Sequence, residues 1–168
     1  MDLSGKDLTG TILRGADLTD ANLTGMDLSG KDLTGTILRG VDLSGKDLRY
    51  SILDNANLDN ADLSNSNLQS ASLVSVDLTK IKNKSLAGVD LTLASFASSN
   101  LSGVNLDDAI IDGTNFWKAD LSGVDFTGVR IGIIVQKPLI AASLFIDANL
   151  SNSNFEDVSL SPQLTYSD

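Results

Sequence analysis

The chain contains neither cysteine nor histidine. The first absence excludes disulfides as a support for the fold and leaves the redox compartment open. Together the two remove the usual nucleophile–base pairs and the commonest transition-metal ligands. What is left for chemistry is Asp, Lys, Ser, Thr and Tyr at regularly repeated positions, so no catalytic residue, cofactor site or metal site is assigned and no enzyme activity is expected. Glutamate is nearly missing as well: of 22 acidic residues only Glu156 is not aspartate. Generic surface acidity would mix the two. An almost pure aspartate population points to short side chains placed for bonding to nearby backbone at turns. No apolar run approaches the length of a membrane span.

Leucine is what the chain has in excess, and it is strictly spaced. It recurs every five residues from Leu3 to Leu78, sixteen times in a row. A period of five suits neither a helix, at about 3.6, nor a half-buried strand, at about 2. A fixed period over such a length means small units that bury a face only by stacking on one another. Two residues before each centre sits a small residue, such as Ala16, Ala56 or Ser66. Immediately before it sits Asp or Asn in twelve of the first sixteen units. Two residues after it sits Gly in eight of the first nine, and Asn at 55, 60 and 65. Gly and Asn tolerate the left-handed backbone that the third position of a type II turn demands. Each unit therefore reads as a straight piece followed by a corner, with the centre and the small residue on one side. Four such corners close a square, and the next square stacks on it at about 4.8 Å.

Ala16-Asp17-Leu18, Ala21-Asn22-Leu23, Ala56-Asn57-Leu58, Ala61-Asp62-Leu63 and Ala119-Asp120-Leu121 carry the motif A-[DN]-L-x-x. In this the chain resembles the pentapeptide-repeat family over nearly its whole length. The resemblance implies an all-β fold, a right-handed quadrilateral parallel β-helix, here of about seven to eight coils.

The array divides by register. Residues 1–80 are regular, 81–84 form a small basic bulge, and 85–131 are regular in a new register with centres from Leu86 to Ile131. Residues 132–145 are irregular and apolar. Final repeats fill 146–160, with register regained at Leu150 or already at Phe145, and a polar tail of 161–168 frays. The irregular stretch reads as a distorted turn facing inward, as an exposed apolar patch for dimerisation or docking, or as a short helix. Met1 occupies an inward position of the first unit with no signal peptide ahead of it. A cytoplasmic location is expected, for a whole protein or for the repeat domain of a larger effector or adaptor.

Gly25 to Lys31 and Gly40 to Lys46 imitate a phosphate-binding loop, but Asp follows each Lys where Ser or Thr is needed, and the Gly spacing is the repeat itself. Lys6, Lys31, Lys46 and Lys84 occupy small inward positions. An unpaired ammonium cannot stay in such a core, so each stem is expected to run along the wall and its head to leave at a corner toward Asp7, Asp32 or Asp47.

The net charge of −10 disfavours nucleic acid and anionic membranes as partners and favours a basic protein. The candidate interaction surface has two parts. One is the acidic ladder on two adjacent faces, Asp2, Asp42 and Asp62 with Asp7, Asp27 and Asp47. The other is the apolar stretch with Ile133, Ile134, Val135, Leu139 and Ile140. The function expected is a rigid scaffold presenting an acidic rod to a protein partner. The resemblance offers a competing reading, a DNA mimic acting on a type II topoisomerase such as gyrase. The uncovered edge of the first turn, or the stretch Ile133 to Ile140, is expected to give a homodimer or end-to-end contact.

Overall fold

The computed structural model describes residues 1–8, 11–134, 145–156 and 158–163. Each unit turns one corner. The centre carbonyl accepts the amide three residues on, as from Ala16 to Leu13 (3.0 Å) and from Ala56 to Leu53 (2.9 Å). The third residue of that turn has positive φ, 73° at Gly25, 62° at Gly30, 65° at Gly35 and 67° at Gly40. Asn55, Asn60 and Asn65 share it at 57°, 59° and 55°. A turn in which only the third residue has positive φ is type II, as expected. Asp20, Tyr50, Ser70, Leu93 and Lys118 adopt the same conformation without being Gly or Asn. A bulky side chain resists this backbone; here the stacked coils hold it in place.

Coils stack by parallel pairing of residues 20 apart: Asp17 with Ile37, Asp32 with Ile52, Asp42 with Asp62. Twenty residues are four units, so the bridges fall into four ladders. We number the faces by their first centres: first face Leu3, second Leu8, third Leu13, fourth Leu18. Leu18 donates its amide to Ile37 at 2.8 Å while Ile37 donates to Ala16 at 2.9 Å. Inner coils thereby satisfy their backbone groups above and below.

Two insertions shift the register, and parallel pairing resumes beyond each. Across the first the pairing spans 23 residues, Asn67 with Asp90 and Asp77 with Asn100. The three residues beyond 20, Lys82–Lys84, form a turn with positive φ at Asn83 and Lys84, where the bulge was expected. Across the second it spans 29, Asp120 with Asn149 and Asp125 with Asn154, an excess of nine over 20. This insertion leaves from strand β1, Arg130–Ile134, which pairs in parallel with β2, Ser159–Gln163, Ile133 opposite Pro162 and Ile134 opposite Gln163. The backbone of Ile133 and Ile134 is thus extended, and β2 carries into the segment read as tail. Val135, Leu139 and Ile140 lie outside the described residues.

The centres form the core. Leu58 and Leu63 are each 1% exposed and Leu68 0%. On the third face the centres become a phenyl stack: Phe96 to Phe116 at 5.6 Å and Phe116 to Phe145 at 5.4 Å between ring centroids. Register therefore resumes at Phe145. At the start, Leu3 and Leu8 are only half-buried and Met1 is exposed. The inward position expected for Met1 is not realised, its side chain being exposed.

Candidate interaction faces

Where the residue before the centre is Asp or Asn, it builds the corner that follows. Its side-chain oxygen accepts the amide two residues on: Asp2 from Ser4 (2.9 Å), Asp27 from Ser29 (2.9 Å), Asp42 from Ser44 (2.9 Å) and Asp62 from Ser64 (3.0 Å). Asn22 and Asn67 do the same with Thr24 and Gln69, each at 3.0 Å. These are Asx turns. Bonds to the charged form hold the carboxyls below their ordinary range. The Ser44 hydroxyl does most of this for Asp42, the Ser29 hydroxyl for Asp27 and the Ser4 amide for Asp2. The aspartate excess is therefore structural before it is anything else.

The six ladder aspartates stand on the two adjacent faces where the spacing put them, yet their charge is uneven. Arg49 grips Asp47 with Nη2 at 2.6 Å and Nε at 2.9 Å. Lys82, from the three-residue insertion, reaches Asp62 with Nζ at 2.7 Å. That bond, with the Ser64 hydroxyl and amide, brings the Asp62 pKa down to about 2. Asp2, Asp7, Asp27 and Asp42 are exposed. In the sequence Lys82 reads only as part of a basic bulge; it stands 20 residues after Asp62, the ordinary coil spacing, and so continues the first-face ladder before the register shifts.

Among the inward lysines Lys46 follows a different rule from the one expected. Lys46 Nζ donates to the Leu23 carbonyl at 2.9 Å, 23 residues back. Thr36 and Thr114 hydroxyls donate over the same span to Leu13 and Leu91, each at 2.8 Å. The ammonium does the work of a threonine hydroxyl, bridging to the coil below instead of reaching Asp47. Lys6 and Lys84 are exposed, and Lys31 is half-buried. Lys6 and Lys31 line a shallow recess of about 260 Å³ at the uncovered first coil, together with Asp7, Asp27, Leu8 and Met26.

Exposed apolar side chains sort by face. Among the described residues the large ones are Met1, Ile12, Tyr50, Ile52, Leu93, Trp117, Ile146 and Phe155. Six of these eight belong to one side: Ile12, Ile52, Trp117 and Ile146 on the third face, Tyr50 and Leu93 at the corner leading into it. Met1 and Phe155 sit in the end coils. Sequence reading missed this face because it sought apolar surface only in 133–140. A signal was present in Ile12 and Ile52, which replace Asp or Asn before the centre.

Comparison with known families bears on the whole array. The family described as pentapeptide repeats matches in eight copies, over residues 1–30, 16–49, 47–79 and 85–128. The chain belongs to the pentapeptide-repeat family. Solved pentapeptide-repeat structures are similar to it. HetL, involved in heterocyst differentiation regulation in the cyanobacterium Nostoc sp. strain PCC 7120, is 27% identical with a TM-score of 0.51, over 86% of this chain and 70% of that one. A pentapeptide-repeat protein of the Arabidopsis thaliana thylakoid lumen is 30% identical over 76% of this chain and 75% of that one, with a TM-score of 0.41. QnrB1, a plasmid-mediated fluoroquinolone resistance protein, is 18% identical over 88% and 84% of the two chains, with a TM-score of 0.48. At that distance it carries no argument about activity. Comparison with curated proteins gave no significant match. Among the described residues no helix is long and apolar enough to cross a membrane.

Proposed function

We propose that this pentapeptide-repeat chain is a rigid, non-enzymatic scaffold that presents its outer rows to a protein partner in the cytoplasm. In this reading the coil is right-handed and quadrilateral, with seven to eight turns rising about 4.8 Å each. The observation that carries it is a division of labour that most units share. Inner positions are consumed by packing and the pre-centre oxygen by the corner. The remaining side chains stand in rows whose spacing the backbone pairing fixes. Such rows are preorganised, so a matching partner binds with little ordering cost. A net charge of −10 steers basic partners and repels nucleic acid and anionic lipid.

Affinity capture tests the reading. The immobilised full chain should retain a stoichiometric protein from an extract of the source cell, less tightly as salt rises. Retention of nothing beyond a blank column would refute it. DNA mimicry against a type II topoisomerase is the competing reading. Arg49 on Asp47 and Lys82 on Asp62 break the regular negative charge that mimicry requires, so no inhibition of gyrase supercoiling is expected. Inhibition that disappears when Asp2, Asp7, Asp27, Asp42, Asp47 and Asp62 are all changed to Asn would establish mimicry instead.

A further inference from the structure

We infer that the third face is the docking surface and that its partner is an amphipathic helix with an apolar stripe and a basic flank. The inference rests on the scaffold reading and names the face and the ligand chemistry.

The residue after each third-face centre forms one row. From the fourth coil upward it reads Val74, Ala97, Trp117, Ile146. Backbone bonds place these residues on successive coils: Ser75 to the Ala97 carbonyl at 3.0 Å, Ser98 to Trp117 at 2.8 Å, Lys118 to Ile146 at 2.9 Å. Val74 is half-buried, Trp117 43% exposed and Ile146 46% exposed. Ala97 is a shallow gap between larger neighbours. Lys118 Nζ lies over the Trp117 ring, 4.4 Å from its centroid. Tyr50, Ile52 and Leu93 widen the strip on its second-face side.

The row spacing selects the partner. Coils rise about 4.8 Å and an α-helix about 5.4 Å per turn. Over the three intervals from Val74 to Ile146 the two drift apart by under about 2 Å, so a helix lying along the rod keeps one apolar residue per turn on this row. Trp117, large and central, has the character of a binding hot spot.

The rim selects the flank. Exposed Asp147 closes the corner beside Ile146, Asp77 and Asp120 stand on the fourth face, and Asp54 ends the row below Val74. Lys118 stands among them, and Lys80 lies close to Asp77, so the acidic character is strongest at Asp147, Asp120 and Asp54. A helix with Lys or Arg beside its apolar stripe fits this rim. A second copy of the chain does not, because it brings the same rim and the same net charge of −10.

Trp117 is the only tryptophan in the sequence, so its fluorescence reports occupancy of this face alone. The probe is a synthetic helical peptide of about five turns, with Leu at i, i+4, i+7 and i+11 and Lys on both sides, titrated against the full chain. The expected result is a saturable blue shift, at least about tenfold weaker for a peptide with the same Leu stripe and Glu flanks. Ile146→Ser should weaken binding by about tenfold or more. Trp117→Ser should do the same, read by anisotropy of a labelled peptide. Both variants should keep the wild-type melting curve, since these side chains are exposed.

The inference is overturned by an absence of saturable binding, by equal binding of the Glu-flanked peptide, or by undiminished binding to a folded Trp117→Ser, Ile146→Ser double variant. It is equally overturned if light scattering finds a dimer that Trp117→Ser dissolves, which would make a second copy the occupant. A captured protein lost on Asp→Asn change of the ladder but kept by the double variant would remove this inference and leave the scaffold reading standing. Capture of nothing by the wild-type chain would remove the scaffold reading itself.

Discussion

Replacing Leu53 by alanine should expose how far one coil depends on its neighbours. Leu53 is 0% exposed and stacks between Leu33 and Leu73, also 0% exposed. Removing three carbons forfeits about 2.4 kcal/mol of transfer free energy, at roughly 0.8 per methylene. The cavity left behind adds to this, because the coils cannot collapse into it. Leu33 is tied to Ile52 at 2.7 Å and Leu53 to Ser72 at 2.7 Å, which pins the backbone on both sides. The sum is about 3–5 kcal/mol, in the upper part of the range for Leu→Ala. For a chain of this size that lowers Tm by roughly 6–20 °C. Leu3→Ala is the control. Leu3 is half-buried with one neighbouring coil, and its loss should cost less than about 2 kcal/mol. Thermal melts give the totals, and hydrogen exchange should show the coils around Leu53 opening first. Equal costs at the two sites would refute the nearest-neighbour stacking.

Acid should weaken the array. Eleven aspartates have folded pKa values below the ordinary one, Asp62 near 2. Their contribution is complete above the unfolded value of about 3.9 and is lost as pH falls through the folded values, so Tm should drop between about pH 4 and 2; a flat profile would contradict the Asx turns. Gly30→Asn should be tolerated within about 0.5 kcal/mol, because Asn55, Asn60 and Asn65 hold the same φ, whereas Gly30→Val should cost more than about 1 kcal/mol by urea titration. Lys46→Thr should leave stability nearly unchanged, since Thr36 makes the equivalent bond, while Lys46→Val should cost about 1 kcal/mol for the lost donor to Leu23; equal effects would show that the ammonium bond is idle.

The five-residue spacing of leucine, the Gly and Asn corners and the short acidic side chains at turns were all legible, because each is a local rule repeated many times. The corners at Tyr50, Leu93 and Lys118 were not, since nothing in those residues favours positive φ and the stacked coils impose it. The third face was hidden for a related reason. Trp117 and Ile146 come after the three-residue insertion, and Ile146 after the nine-residue one as well. They align with Val74 only once both offsets are counted, 23 from Val74 to Ala97 and 29 from Trp117 to Ile146. The Lys82 bond to Asp62 was legible by contrast, because the two residues are 20 apart, one ordinary coil.

The most direct test of a partner-binding rod is to capture its partner and measure that protein's affinity for three forms of the chain by isothermal titration. The forms are wild type, the Trp117→Ser, Ile146→Ser double variant, and the chain with Asp2, Asp7, Asp27 and Asp42 changed to Asn. The account predicts an affinity loss of about tenfold or more for the double variant and a change of less than about threefold for the Asn chain. The reverse order, with the Asn chain crippled and the double variant intact, would remove the third face as the docking surface, and capture of no partner at all would contradict the account itself.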